Sequence, residues 1–242
     1  MMRPERLDRL FSRLGYGSRK EVRAWLRQGR IEVDGHVPAS PAAKVDAMKV
    51  RIDGEPADHP CGLTLAYHKP LGSVCSHREQ GRLIYEDFPE RWRHRKPALS
   101  SVGRLDKETS GLLIVTDDGA LNHALTSPRR HVPKTYEVET VEPLDASLVQ
   151  IFASGELMLE GEESPCLPAG LEILDSRHAR LILHEGRYHQ VRRMFAAVGH
   201  HVLRLHRSAI GALALADLDL KPGAYRQINP DHLLERIGGE PG

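Results

Sequence analysis

The run Leu112-Leu113-Ile114-Val115-Thr116 is the feature that most limits what this chain can fold into. An unbroken apolar run of this length reads as a buried strand. A polar loop, residues 102–111, feeds it, and the Asp118-Gly119 turn ends it. A buried strand needs neighbours, and further strand-like runs stand at 63–67, 135–141, 179–184 and 202–205. Helical stretches stand at 119–126, 146–153, 191–198 and 231–237. Strands and helices mix without regular alternation. That predicts an α+β domain, not a doubly wound parallel sheet.

The first 58 residues read as a separate small domain. Leu7, Leu10, Phe11 and Leu14 fall at helical spacing, and Gly15-Tyr16-Gly17 ends that helix. Ser18 and Glu21 form the sequence pattern of a capping box for a second helix, whose buried face carries Val22, Trp25 and Leu26. Arg19, Lys20, Arg23, Arg27 and Arg30 occupy the rest of it. Short strands follow at 31–33 and 49–52. A Pro/Gly-containing linker, 55–62, leads to a second domain expected over 62–237, and 238–242 read as a disordered tail.

Charge indicates the kind of partner. The net charge is only +1, yet residues 1–30 hold nine basic against three acidic residues, and 187–216 hold five arginines and no acid. Basic surfaces on a neutral chain suit a polyanion. No apolar run approaches the roughly 18 residues that span a bilayer, and the N-terminus lacks a signal-peptide core, so a cytoplasmic protein without membrane contact is expected. Cys61, Cys75 and Cys166 form no CxxC pair, and the 14 histidines show no HExxH spacing. Neither a disulfide framework nor a metal site is expected. No heptad calls for a second copy, so a monomer is expected.

Three segments carry a family resemblance. Gly103-Arg104-Leu105-Asp106-Lys107-Glu108-Thr109-Ser110-Gly111, continuing into the apolar run, is similar to the signature of the pseudouridine synthases. Ser127-Pro128-Arg129-Arg130-His131-Val132-Pro133-Lys134-Thr135-Tyr136 resembles the family's second segment, and Glu185-Gly186-Arg187-Tyr188-His189-Gln190-Val191-Arg192-Arg193 its third. Lys69-Pro70-Leu71-Gly72 resembles a turn at the end of the family's first strand. The N-terminal stretch, with Ser18-Arg19-Lys20 and 29–35, resembles an S-four-type RNA-binding module. The third segment and Leu205-His206-Arg207 look closest to the RsuA branch, which acts on 16S ribosomal RNA. A member acting on 23S RNA is the nearest alternative.

The resemblance implies a catalytic domain with a central, mostly antiparallel sheet flanked by helices, and it implies roles. Asp106 would be the essential carboxylate, Tyr136 the aromatic wall against the target base, and Arg192 the cation beside Asp106. Leu205 would narrow the pocket. Arg104 would face the RNA near the flipped base, Arg129, Arg130, Lys134 and Arg207 would contact phosphates, and Arg19, Lys20, Arg23, Arg27 and Arg30 of the N-terminal module would bind RNA. The residues alone are less committal: an isolated loop Asp between basic neighbours is more often a solvated turn acid. The chemistry is consistent with the assignment. Pseudouridine formation breaks the N1–C1′ bond and joins C5 to C1′, an isomerisation that needs no cofactor. It needs an ionised carboxylate, whether as nucleophile or as base. Two other readings compete. A non-catalytic ribosome-assembly protein would need only the basic surfaces. A glycosidase would need a second acid opposite Asp106, and adjacency in sequence does not make Glu108 that acid. The stretch 77–96, rich in Arg and Glu, matches no motif and reads as a variable surface loop.

Overall fold

The computed structural model describes residues 3–76, 80–127 and 130–237. The predicted tail, 238–242, lies outside them. The chain divides into two compact units. One gathers the chain up to Thr64 with Tyr85–Ser100 and Val115–Gly119. The other gathers Leu65–Ile84, Ser101–Ile114 and the chain from Ala120 onward.

In the first unit, helix Leu7–Leu14 buries Leu7, Leu10, Phe11 and Leu14, the stripe its spacing predicts. It stops at Gly15, whose φ of 78° is left-handed. A Cβ there would lie 2.3 Å from the Arg91 carbonyl oxygen, so glycine is required on two counts. The capping box forms: the Ser18 amide donates to Glu21 Oε2 at 2.6 Å, and the Glu21 amide donates to Ser18 Oγ at 3.5 Å. It starts helix Arg19–Arg27. Strands Ile31–Val33, Val50–Ile52 and Glu55–Pro56 then pair antiparallel. The sequence-predicted linker therefore begins as an edge strand, where Pro56 is tolerated because an edge leaves one row of donors unused.

The stretch 77–96 is not the surface loop its composition suggests. Residues 77–79 lie outside the described residues, but Tyr85, Phe88 and Trp92 are buried. Arg95 is buried and pairs with Asp117 at 2.7 Å, while also donating to the Asp58 and His59 carbonyls. Charges that looked solvated are spent inside the unit. Asp58 collects Arg91, the Trp92 indole N–H at 2.6 Å and His59 at 2.6 Å. Burial pushes its carboxyl up, but these donors outweigh burial and hold it well below the ordinary carboxylate range. A depressed native pKa gives stability that is complete above the unfolded value of about 4 and is lost as pH falls below it. Asp58→Asn is expected to cost about 1–3 kcal/mol at neutral pH, read by thermal unfolding, and to flatten the acid side of the stability profile.

The second unit is organised by a mixed sheet of nine strands among the described residues. Its path runs Gly170–Ile173, His178–Leu183, Lys134–Thr140, Val202–Ile210, Thr109–Thr116, Thr64–Lys69, Tyr225–Gln227. Most described pairs are antiparallel, but Thr109–Thr116 runs parallel to Val202–Ile210. Helices Gly119–Thr126, Ser147–Ala153, Gln190–Ala197 and Pro230–Ile237 accompany it. Leu112, Ile114, Leu121, Leu125, Ile210 and Leu233 share one apolar core. The strand Val202–Ile210 extends well beyond the predicted 202–205, because its polar residues His206, Arg207 and Ser208 hide its period. Gly170–Ile173 and Tyr225–Gln227 are too short and polar to be seen in sequence.

Candidate active site

The loop that feeds the buried strand is held from beneath by Lys69. Its side chain is fully buried, and its ammonium donates to the carbonyls of Asp106 at 3.0 Å, Thr109 at 2.8 Å and Pro70 at 3.2 Å. Burial pulls this amine down from its ordinary range, while nearby Cys75 and Asp106 act the other way. The Thr109 amide closes a turn onto the Asp106 carbonyl at 3.0 Å, and the Gly72 amide donates to the Lys107 carbonyl at 2.8 Å. Cys75 is buried, and its Sγ meets both the carbonyl and the amide of Leu105. The Lys69-Pro70-Leu71-Gly72 turn is thus the support of the Asp106 loop, a role invisible in sequence.

That support holds Asp106 on the wall of a cavity of about 940 Å³, which Tyr136, Leu205, Lys134, Arg207 and His189 also line. Tyr136 and Leu205 reach it because adjacent strands present them on one face. Tyr136 lies opposite Arg207 across one strand pair, and Leu205 lies opposite Thr109 across the next. A register shift between Thr135 and Tyr136 sets that pairing. Both Tyr136 and Leu205 are buried, so the cavity has an aromatic and an aliphatic wall.

The third segment supplies a brace and a contact. Glu185 Oε1 accepts from Gln190 Nε2 at 2.7 Å and from the Leu167 amide at 2.9 Å. Gln190 Oε1 in turn accepts from the Arg187 amide at 2.9 Å. Arg187 donates to the Ser164 and Pro165 carbonyls. This network fixes the turn that puts His189 in a left-handed conformation, φ 48°, at the start of helix Gln190–Ala197. His189 Nε2 stands 3.2 Å from Asp106 Oδ1, and the Tyr188 ring stacks on it at 3.9 Å.

Arg192 does not take the place beside Asp106 that was expected of it. Its guanidinium donates to the Glu108 carbonyl at 3.0 Å and the Val202 carbonyl at 2.9 Å. It ties the helix to the Asp106 loop through backbone, and His189 holds the carboxylate instead. Arg192 is the third residue of helix Gln190–Ala197, whereas the left-handed turn just before the helix carries His189 to Asp106.

Known proteins resemble this chain along nearly its whole length. The S4 domain model matches residues 5–49, and the RNA pseudouridylate synthase model matches residues 64–197. The chain belongs to the RNA pseudouridylate synthase family. The synthase is 41% identical to the ribosomal small subunit pseudouridine synthase A of Yersinia pestis, over 94% of this chain and 96% of that one. It is 39% identical to the protein of that name from Escherichia coli strain K12, over 96% and 100%. A solved pseudouridylate synthase superposes with a TM-score of 0.67 at 34% identity, covering 96% of this chain and 99% of that one.

The remaining sequence-predicted residues of the synthase divide. Arg104 is exposed and lines the cavity. Arg130 is exposed, and Arg129 lies outside the described residues. Arg207 is a correction: it is 3% exposed, at the cavity and away from any surface phosphate. Lys134 is half-buried on the same cavity, with Nζ on the Val132 carbonyl at 2.9 Å. In the first unit Arg19, Lys20, Arg23 and Arg27 are exposed, although Arg19 also pairs with Asp8 at 3.3 Å. Arg30 is spent within the unit: it makes two hydrogen bonds to Asp53, at 2.8 and 2.6 Å, and stacks over Trp25 at 4.5 Å. Among the described residues no group of His, Cys, Asp or Glu is arranged to hold a metal ion, and no helix is long and apolar enough to cross a membrane.

Proposed function

We propose that this synthase isomerises one uridine of 16S ribosomal RNA, with Asp106 as the catalytic carboxylate. The observation that carries the reading is Asp106 held on a cavity whose walls are Tyr136 and Leu205. The relatives named above are small-subunit synthases, which supports 16S RNA over 23S RNA. Residues 1–58 serve as the RNA grip, through Arg19, Lys20, Arg23 and Arg27, and 62–237 as the catalytic part, working as a monomer in the cytoplasm.

The geometry suggests how the parts divide the work. The target uridine leaves its helix and stacks on Tyr136, while Leu205 closes the opposite side. Arg104 holds the RNA at the cavity mouth. Asp106, ionised, acts on the ribose either at C1′ or at the C2′ proton, and the N1–C1′ bond breaks. Lys69 and Arg192 position the Asp106 loop, and His189 orients the carboxylate until the ribose arrives. The base turns within the closed cavity and C5 joins C1′.

Incubating the purified protein with unmodified 16S and 23S RNA, free and as partly assembled subunits, tests this. Pseudouridine mapped by chemical labelling and primer extension should give a single stop, in 16S RNA. A stop only in 23S RNA would overturn the substrate assignment, and salt-sensitive binding without any stop would overturn catalysis.

A further inference from the structure

Among the described residues, two side-chain atoms are buried without a hydrogen-bond partner: Arg207 Nη2 and Thr109 Oγ1. Both residues line the Asp106 cavity. They lie on neighbouring strands, where Thr109 pairs with Leu205 and Gly111 with Arg207. Buried polar groups are almost always satisfied, so an unpartnered donor and an unpartnered hydroxyl on two residues of one cavity wall indicate a site built for a polar occupant.

The fold goes to some length to put this cation there. Gly111, opposite Arg207, has no side chain, and a Cβ on it would lie 2.2 Å from the Arg207 carbonyl oxygen. The Arg207 guanidinium is fixed on one edge, Nε donating to the Leu112 carbonyl at 2.8 Å. No carboxylate among the described residues forms an ion pair with it. Its charge is therefore not cancelled, and the effect reaches across the cavity. The Lys134 amine is lowered to about 8, first by burial and next by Arg207.

We propose that Arg207 is a further catalytic residue, whose guanidinium holds the uracil that has left C1′ until C5 is presented for bond formation. The inference rests on the reading that Asp106 breaks the N1–C1′ bond in this cavity. When that bond breaks, both electrons stay with N1. The base is then an anion, its charge spread over N1, O2 and O4. This holds whether the ribose is kept as an Asp106 ester or as an unsaturated sugar. C5 next bonds to C1′ as the Asp106 carboxylate leaves the ester, or as Asp106 returns the C2′ proton to the unsaturated sugar; the C5 proton then leaves and N1 takes a proton, so atoms and charge balance. Between those steps nothing covalent holds the base. A fixed cation stabilises the anion where it forms and keeps it from diffusing away. Arg207 Nη2 offers its hydrogen to a base carbonyl oxygen, and the Thr109 hydroxyl lies along the same wall.

The test follows the fate of the base. RNA carrying labelled uracil, in the form that the wild-type protein modifies, is incubated with wild type, Arg207→Met and Arg207→Lys. Pseudouridine, free uracil and abasic sites are counted. Arg207→Met removes a buried charge for a side chain of similar length, and folding is checked by thermal unfolding. Wild type should release no uracil. Arg207→Met should isomerise about 100-fold more slowly, the usual scale for losing one donor to a developing anion, and should release free uracil with an abasic site left behind. Arg207→Lys should restore part of the rate and reduce the release. A merely structural role would lower the active fraction and leave uracil release at zero, and that result would overturn the inference. So would an Arg207→Met rate within threefold of wild type. If wild type makes no pseudouridine, the underlying reading fails first, and the Arg207 proposal with it.

Discussion

The Asp106→Asn protein should fold as wild type does, bind ribosomal RNA with the same salt dependence, and leave every uridine unchanged. The substitution keeps the size of the side chain and its ability to accept from His189 Nε2, 3.2 Å away. The loop is held through the Asp106 backbone carbonyl, by Lys69, and through Glu108, by Arg192, so its course does not depend on the carboxylate. What is lost is the negative charge. An amide is neither a nucleophile toward C1′ nor a base toward C2′. The rate should fall on the order of 10⁴-fold or more, the scale seen when a catalytic group central to a mechanism is removed. Single-turnover mapping reads this directly. Residual isomerisation above background would assign the chemistry to another group.

The second large effect is on the fold. Gly111→Ala is expected to prevent formation of a stable native state. Gly111 has a φ of 118°, outside the region that residues with a side chain adopt. An added Cβ would lie 2.2, 2.5 and 2.8 Å from the Arg207 carbonyl oxygen, amide nitrogen and carbonyl carbon. These are backbone atoms of the parallel partner strand, so no rotamer can relieve the overlap, and the strands must separate at the centre of the sheet. Strain at a special φ together with overpacking should cost more than about 4 kcal/mol, a large part of the roughly 5–15 kcal/mol that holds a domain folded. Soluble yield and thermal unfolding read it. A variant melting within a few degrees of wild type would show that these strands tolerate separation.

These two residues are neighbours in one signature segment, yet they differ in how far sequence reaches them. Asp106 was legible because its neighbours form a recognisable string. Gly111 sits in the same string, but its necessity comes from Arg207, ninety-six positions away, whose backbone presses against it. The stripe Leu7, Leu10, Phe11 and Leu14 and the Ser18–Glu21 box were legible for a different reason. Helix periodicity and capping are local, and the residues that satisfy each other lie within one or two turns. The buried run at 112–116 was likewise readable, because apolar residues in series have no other stable place.

Long-range pairing is what the sequence left open. The same residue types serve as surface charge or buried partner according to what the fold sets opposite them. Arg30 read as an RNA contact and Arg95 as part of a surface loop, and they are held by Asp53 and Asp117. Arg207 read as a phosphate contact, and lies buried with its guanidinium held on the Leu112 carbonyl. Lys69 read as part of a turn, and supports the loop that carries Asp106. Arg192 was expected on the carboxylate, and His189 stands there because a left-handed turn, set by Glu185 and Gln190, aims it inward. The sequence by itself determined the family, the helices and the buried strands, and it singled out Asp106 as the candidate carboxylate; the two units that form are not the predicted 1–58 and 62–237, because Tyr85–Ser100 and Val115–Gly119 join the first. Only the tertiary structure decided which cations face the cavity and which are neutralised, since burial and charge pairing are properties of distances that chain order does not contain.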